Sequence, residues 1–398
     1  MIASKPIAID LFSGAGGLSL GFEKAGFEIC QAVEQSPHSA ATYKKNHPKT
    51  DIVNADICEL DPGDCLRRIG LKAKDISIIV GGPPCQGFSE SNRRTRTTDN
   101  PKNMLFLQFV KFLKAIRPAY FVIENVAGLR TLSNGLILQR IVKACNDLGY
   151  KTDYKELNSI DYGVPQFRRR IFIVGNRIDH NFLFPQAHND HKHLDMVTVR
   201  QAICDLPELP NGADVDYLPY RLKGDSNLSK YQKLMRSNST TGEVVQGNLV
   251  TRNSGTIVER YKHIGQGQNW ESIPASLMAG YKDHSRCHTG IYYRLEWDRP
   301  SKVIGNFRKN MLIHPEENRG LSIREAARLQ SFPDDYIFFG SIGFQQQQVA
   351  DAVPPMLAHA LGKKILKNLK GTKINSEREA LRHISHHPSN MPYSEYSP

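Results

Sequence analysis

The sequence contains no uninterrupted apolar run approaching the roughly 18 residues that a membrane-spanning helix needs. Its first residues also lack the basic segment and apolar run of a secretory signal. The 7 cysteines include no Cys-x-x-Cys pair, which argues against both a zinc ribbon and a disulfide framework. No internal repeat is visible. These absences predict a protein of a reducing, cytoplasmic-type compartment that has no membrane partner.

The composition is that of a globular protein with a strong positive charge. The 398 residues are 40% hydrophobic and 23% charged, which excludes wholesale disorder and leaves room for one large domain and a smaller one. A net charge of +12 favours a polyanionic partner, nucleic acid above all. The excess lies at the two ends: residues 1–175 hold 24 Lys and Arg against 17 Asp and Glu, residues 176–300 hold 15 against 14, and residues 301–398 hold 13 against 9.

Short apolar runs alternate with segments of helical spacing over the first 175 residues. The predicted strands are 6–12, 29–33, 76–80, 120–123 and 170–174, and the predicted helices are 17–25 and 104–116. Strands that alternate with helices of this length favour an α/β fold, with a mostly parallel sheet and helices on both faces.

The pattern changes after residue 175. Short, polar, turn-rich segments reach to about residue 300, which predicts a smaller and irregular second unit. Helical spacing returns at 322–330 and at 348–369. Residues 371–398 are polar and nearly free of large apolar side chains, so we expect them to be mostly disordered.

A glycine-rich turn joins the first predicted strand to the first predicted helix. Its sequence, DLFSGAGG at 10–17, allows a close backbone approach at a helix N-terminus, where unpaired N–H groups point at a ligand. Glu34, at the end of the second strand, suits a carboxylate that accepts hydrogen bonds from ribose hydroxyls. The spacing is not the G-x-G-x-x-G of NAD-binding turns. Together with Glu34 and Asp56, the turn predicts a nucleoside ligand.

The sharpest feature is GGPPCQGFS at 81–89, directly after a predicted buried strand. Its glycines and prolines fix the backbone at the carboxyl edge of a sheet, where open α/β folds bind ligands. Cys85 is therefore a candidate nucleophile. The basic residues Arg93, Arg94 and Arg96 follow it. They form either a solvated loop or an arm that closes over phosphates.

Two further motifs follow strands at the same edge. Glu124, in ENV at 124–126, is placed to hold and donate a proton in a partly dry cleft. In QFRRR at 166–170, alternation along an extended chain puts Gln166, Arg168 and Arg170 on one side and Arg169 on the other.

These motifs, in this order from Asp10 to about Leu361, resemble those of the DNA cytosine-5 methyltransferase family of bacterial restriction-modification systems. The most specific match is the segment 81–89, and REAARLQSFP at 324–333 is similar to a further motif of the family. The resemblance implies a Rossmann-like domain that binds S-adenosylmethionine and a smaller, irregular target-recognition domain. It divides the chain into a first catalytic part (1–175), the target-recognition domain (176–300) and a return segment that completes both units (301–370).

The resemblance also implies a reaction and its residues. A methyl group passes from S-adenosylmethionine to carbon 5 of a flipped-out cytosine, through an adduct between Cys85 and carbon 6. Glu124 is the acid at ring nitrogen 3, and Arg168 and Arg170 are the positioning cations. The implied cofactor contacts are Asp10, Phe12, Ser13, Gly14, Gly16, Gly17, Glu34, Asp56, Ile57, Pro84, Leu105, Asp351 and Val353. At 350–355 this chain has ADAVPP where the family usually has Gly-Asn before AVPP, so Asp351 adds a charge and removes an amide donor.

The implied substrate is double-stranded DNA, bound by a monomer, and a cognate restriction endonuclease acting separately is a possible partner. The implied DNA contacts are Ser89, Ser91, Arg93, Arg94, Arg96 and Gln166. We expect no metal, because His188, His191 and His193 lack cysteine partners and a helical i, i+4 pair. Two alternatives stay open: a cytosine-5 methyltransferase of RNA, whose Cys-Phe-Thr signature is missing here, and a catalytically silent DNA-binding regulator of the same fold.

Overall fold

The structure is a computed structural model that describes residues 5–84, 105–178, 181–187, 196–222, 224–236, 243–278, 291–305, 307 and 312–384. The strands are β1 Ile7–Leu11, β2 Glu28–Glu34, β3 Asp51–Asn54, β4 Ile76–Gly81, β5 Tyr120–Val126, β6 Lys151–Asn158, β7 Arg169–Asn176, β8 Leu218–Pro219 and β9 Val244–Val245. The α-helices are α1 Gly17–Ala25, α2 Pro37–Asn46, α3 Pro62–Arg68, α4 Phe106–Ile116, α5 Leu136–Asn146, α6 Val199–Ile203, α7 Lys230–Arg236, α8 Gly255–Lys262, α9 Ile323–Leu329, α10 Ile342–Asp351 and α11 Pro355–Ile384.

The main sheet has the strand order β3-β2-β1-β4-β5-β7-β6. β1 to β5 pair in parallel, whereas β7 runs antiparallel to both β5 and β6. The order reverses between β1 and β4, and such a switch point opens a crevice at the carboxyl ends of the strands. The predicted mostly parallel α/β sheet of a Rossmann-like fold is confirmed.

Helices cover both faces of this sheet, as the continuous apolar strands require. Within β4, Ile78 and Val80 point to the face covered by α1 and α11, while Ile79 points to the face covered by α4 and α5. The helices α1 and α11 cross very closely, since a Cβ on Gly21 would lie 2.3 Å from the Cβ of Ala358. These two helices therefore pack tightly together on one face of the sheet.

A second hydrophobic core lies outside the main sheet and draws on two separate parts of the chain. It joins side chains between Val199 and Val245 to others between Tyr293 and Ala352. A buried ion network crosses the same two parts, because Arg328 bonds Asp205 at 2.7 Å and Asp334 at 2.6 Å. The turn-rich region after residue 175 therefore packs with the return segment around a shared core.

The predicted helix at 348–369 is wrong, because two helices occupy this region. α10 ends at Asp351 and α11 begins at Pro355. Pro354 has no N–H to donate and disfavours helical backbone at the residue before it, whereas Pro355 suits the first position of a new helix.

The predicted start of disorder at residue 371 is also corrected, since α11 continues to Ile384. The sequence of 371–384 is polar, but it is rich in Lys, Glu, Arg, Ala and Leu, which are good helix formers. Residues 385–398 lie outside the described residues. None of the helices described is both long and apolar enough to cross a membrane.

Candidate active site

A cavity of about 610 Å³ opens at the carboxyl ends of β1, β2, β4 and β5, at the switch point of the sheet. Its walls come from the turn after β1, the ends of β2, β4 and β5, and the end of α10. The residues expected from the sequence that line it are Asp10, Phe12, Ser13, Gly14, Gly17, Glu34, Asp56, Ile57, Pro84, Leu105, Glu124, Arg170, Asp351 and Val353.

A left-handed backbone conformation and hydrogen bonds to a carboxylate fix the turn after β1. Phe12 has a φ of 60°, a left-handed conformation that is uncommon for a non-glycine residue and turns the chain out of the strand. Glu34 then accepts hydrogen bonds from the backbone N–H groups of Gly14 at 2.9 Å and Ser36 at 2.8 Å. Burial raises the pKa of Glu34 above its ordinary value, although these two bonds oppose the shift.

Asp10 is a fully buried carboxyl group at the base of the cavity. Its Oδ2 accepts a hydrogen bond from the hydroxyl of Ser19 at 2.6 Å, and burial raises its pKa to about 7. Asp10 Oδ1 and the Ser13 hydroxyl are buried with no hydrogen-bond partner among the described residues. Buried polar atoms in this state favour a polar ligand in the cavity.

Gly16 does not line the cavity, so the expected cofactor contact is corrected. A Cβ at this position would lie 2.5 Å from His47 Nε2 and 2.6 Å from the Tyr336 hydroxyl. The φ of 95° also favours glycine. Gly16 is thus required by the packing behind the turn, where Tyr336 donates a hydrogen bond to the carbonyl of Ala15.

Glu124 and Arg170 form an ion pair in the cavity wall. Arg170 Nε lies 3.0 Å from Glu124 Oε1, and both side chains are largely buried. Burial raises the pKa of Glu124 above its ordinary value, even though the charges of Arg170 and Arg168 act in the opposite direction. A carboxyl group in this state retains a proton to higher pH than an exposed glutamate.

The end of β4 is held against Glu124. Asn125 donates a hydrogen bond from Nδ2 to the carbonyl of Pro83 at 2.9 Å. A Cβ on Gly82 would lie 3.0 Å from Glu124 Oε2, so a larger residue there would crowd the carboxylate. The hydrogen bond of Asn125 to Pro83 and the missing side chain of Gly82 therefore hold the segment after β4 against the end of β5.

Arg168 is not a cavity residue, and its expected place beside the substrate is corrected. Its guanidinium is 1% exposed and donates to the carbonyls of Ile304 at 2.9 Å, Ala350 at 2.7 Å and Ala352 at 3.1 Å. It therefore links the residue that precedes β7 to the end of α10. The predicted alternation is confirmed, because Arg169 is exposed and lies 3.6 Å from Glu156.

Gln166 is fully buried, which contradicts its expected contact with DNA. Its Nε2 donates to the carbonyl of Leu329 at 3.0 Å, and its Oε1 accepts from the N–H of Ile304 at 2.7 Å. The chain at 301–304 covers this side of the extended segment, with Phe167 N–H bonded to the Ser301 carbonyl at 2.9 Å. The side chains of Gln166 and Arg168 thus face the protein interior.

The sequence analysis missed Gln347, which lines the cavity one helical turn before Asp351. Its Nε2 donates to both carboxylate oxygens of Asp351, at 2.8 and 2.7 Å. The i, i+4 spacing within α10 was a signal for this pair. Predicting the helix from Gln348 instead of Ile342 concealed it.

The charge of the cavity is opposite to that of the whole chain. Among the described residues that line it, five are acidic and one is basic. A protein with a net charge of +12 thus carries an acidic cavity, which suits a cationic ligand. The lining acids are Asp10, Glu34, Asp56, Glu124 and Asp351, and the base is Arg170.

Several expected residues lie outside the described residues: Cys85, Ser89, Ser91, Arg93, Arg94, Arg96, His188, His191 and His193. Pro84, which precedes Cys85 in the sequence, lines the cavity. Within the part of the chain that the structure describes, no cluster of three or more His, Cys, Asp or Glu side chains is arranged to hold a metal ion.

Comparisons with known proteins converge on one family. The model of the family described as C-5 cytosine-specific DNA methylase matches residues 7–367. The chain is 37% identical to the Type II methyltransferase M1.HphI of Haemophilus parahaemolyticus, over 90% of this chain and 86% of the relative. It is 35% identical to the Type II methyltransferase M.DdeI of Desulfomicrobium norvegicum, over 90% and 88%. A solved structure described as a prophage-encoded DNA modification methyltransferase (E. coli) superposes with a TM-score of 0.73 at 25% identity, over 92% of this chain and 100% of that chain.

Proposed function

The chain belongs to the C-5 cytosine-specific DNA methylase family and is a DNA (cytosine-5)-methyltransferase; on this premise we propose that it takes its methyl group from S-adenosylmethionine and acts on a cytosine flipped out of duplex DNA. The observation that carries the proposal is the cavity at the switch point, which the Glu124–Arg170 pair and Pro84 line together with the glycine-rich turn after β1.

The residues of the cavity fit S-adenosylmethionine. When bound, this cofactor supplies an electrophilic methyl group on a positively charged sulfur. The acidic side chains of the lining that are ionised suit that charge, and Asp10 Oδ1 and the Ser13 hydroxyl lack partners among the described residues. We assign Glu34 to the ribose hydroxyls, Phe12 and Leu105 to the faces of the adenine, and Asp56 with Ile57 to its edge. Ser13, Gly14 and Gly17 of the turn after β1 would hold the amino-acid portion.

Cytosine needs activation, because its carbon 5 is a weak nucleophile. In the proposed mechanism the Cys85 thiolate adds to carbon 6, and the electron pair of the 5,6 double bond becomes available at carbon 5. Glu124 gives its proton to ring nitrogen 3, which neutralises the charge that the addition pushes into the ring. Arg170 holds the Glu124 carboxyl group in place. Carbon 5 would then attack the methyl carbon that the bound cofactor supplies, and the electron pair of the broken sulfur–methyl bond would stay on the sulfur.

The remaining steps restore the ring. A base removes the proton from carbon 5, and the electron pair of that C–H bond re-forms the double bond as the thiolate of Cys85 leaves. The proton on ring nitrogen 3 returns to Glu124. All these steps require the target cytosine to be flipped out of the stacked duplex, at a cost of about a few kcal/mol. Contacts of phosphates with the basic catalytic part, including Arg93, Arg94 and Arg96, would offset that cost.

A direct test is to identify the methylated product. Purified protein and S-adenosylmethionine with a labelled methyl group are incubated in parallel with a mixed pool of duplex DNA and with a mixed pool of RNA, and the digested nucleosides are separated by chromatography against standards. We expect label in 5-methyldeoxycytidine alone. Label in N4-methyldeoxycytidine would contradict the proposed chemistry, label in RNA and not in DNA would favour the RNA alternative, and no transfer to either would favour the silent regulator.

We further propose that residues 176–300 read the DNA sequence. These residues have a surplus of only one positive charge, so they have little net charge with which to bind phosphates. This favours contacts with base edges. Exchanging residues 190–295 for those of a relative with another specificity should transfer that specificity while the rate per site stays within about an order of magnitude. An unchanged sequence preference in bisulfite maps of an active, folded hybrid would contradict this assignment.

A further inference from the structure

We propose that Asp351 makes the enzyme favour the positively charged methyl donor over the neutral product that remains after transfer. The inference rests on the proposed use of S-adenosylmethionine. Transfer of the methyl group converts a sulfonium into an uncharged thioether, so donor and product differ by one positive charge at a single atom. A carboxylate near that atom stabilises the bound donor and does nothing comparable for the product.

Asp351 lines the same cavity as Glu34 and Glu124. It is the last residue of α10, and its side chain is exposed to the open cavity. After burial, which is the main cause, its negative charge contributes to the raised pKa of both Glu34 and Glu124. Glu34 lies in the part of the cavity that we assign to the cofactor, and Glu124 lies in the part that we assign to the target cytosine. We assign Asp351 to the part of the cavity between these two residues, through which the methyl group would pass.

The charge of Asp351 is available to a ligand. Its two carboxylate oxygens are held by the neutral amide of Gln347, and among the described residues it forms no direct ion pair. The nearby cations are engaged elsewhere. Arg168 donates to three backbone carbonyls, and Arg170 pairs with Glu124.

The helix terminus makes the position more negative still. Unpaired carbonyls at the end of a helix carry partial negative charge, so a carboxylate there is unfavourable by itself. Arg168 relieves part of this charge by binding the carbonyls of Ala350 and Ala352. A cationic ligand beside Asp351 would offset the remaining negative charge of the helix end and the carboxylate, and a neutral ligand would not.

The test measures binding, without catalysis, of two probes to the whole protein. Isothermal titration with S-adenosylmethionine and with S-adenosylhomocysteine gives the ratio of their dissociation constants. In the nearly isosteric variant Asp351→Asn we expect donor binding to weaken about five- to tenfold while product binding stays within about twofold. A five- to tenfold loss is a modest effect, as expected for one charge pair that solvent partly screens. Asp351→Ser should shift the ratio in the same direction and serves if the first variant does not fold.

The matched control is Asp56→Asn, at the adenine end of the cavity. It also removes one negative charge, but the adenine is common to donor and product, so both should weaken equally and the ratio should not change. An Asp351→Asn ratio equal to that of the wild type would overturn the inference while leaving the proposed function intact. If the wild-type protein bound neither probe, the proposed function itself would fail, and the inference with it.

Discussion

Replacing Cys85 by alanine is expected to reduce methyl transfer by at least about a thousandfold, because no other group of the proposed mechanism can add to carbon 6 of cytosine. Carbon 5 would then have to attack the methyl donor unassisted. Binding of the cofactor and of DNA should stay within about threefold, since neither depends on formation of the covalent bond. Single-turnover transfer of labelled methyl groups, together with titration of each ligand, measures both quantities.

The matched control is Cys204→Ser. Cys204 belongs to the second core and accepts a hydrogen bond from Gln232 at 3.3 Å, which a serine oxygen can also accept. The Cys204→Ser protein should therefore retain essentially all methyl-transfer activity. A Cys85→Ala protein that transferred methyl groups at a tenth of the wild-type rate would exclude the covalent mechanism. One that lost transfer but kept its biological effect would indicate a regulator rather than an enzyme.

Replacing Glu124 by glutamine is expected to lower the rate of transfer about a hundredfold, within the range that general acid catalysis usually contributes. Glutamine preserves the size of the side chain and can still accept the hydrogen bond of Arg170, but it cannot give a proton to ring nitrogen 3. Binding of S-adenosylmethionine should change little. Glu156→Gln is the control, because Glu156 also faces an arginine, Arg169, at 3.6 Å but lies outside the cavity.

The pH dependence gives this prediction a second readout. Burial raises the pKa of Glu124, so the protonated form persists above the ordinary range of a glutamate and is lost as the pH rises through the raised value. The wild-type single-turnover rate should therefore fall on the alkaline side, and the Glu124→Gln variant should lose that limb of the profile. A variant with a normal rate, or with an unchanged alkaline limb, would contradict the role of Glu124 as the acid.

Much of the sheet could be predicted because its signals are local. Apolar runs too short for a helix, such as 76–80, alternate with helical spacing, and the structure places strands and helices there. The break between α10 and α11 was missed although Pro354 and Pro355 marked it, since the apolar spacing continues across them. That the turn-rich middle and the return segment share one core depends on contacts such as Arg328 with Asp205, which lie far apart in the sequence.

The candidate site was predictable where a residue lies at or near the carboxyl end of a strand. Glu34 and Glu124 line the cavity because the carboxyl ends of parallel strands meet at one edge. The resemblance assigned Gln166 and Arg168 to the substrate, and alternation correctly places them on the same side as Arg170. Alternation does not reveal what covers that side. The chain at 301–304 and the end of α10 cover Gln166 and Arg168, and only Arg170 reaches the cavity.

The most direct test of the central claim is to trap the covalent step. A duplex with 5-fluorocytosine at the recognition site, or a mixed pool of such duplexes, is incubated with the protein and S-adenosylmethionine and separated on a denaturing gel. Because fluorine cannot leave carbon 5 as a proton does, we expect a protein–DNA band that depends on the cofactor and is absent from Cys85→Ser. If a protein that methylates unmodified DNA gave no band, or if the band persisted in Cys85→Ser, attack by Cys85 on carbon 6 would be contradicted.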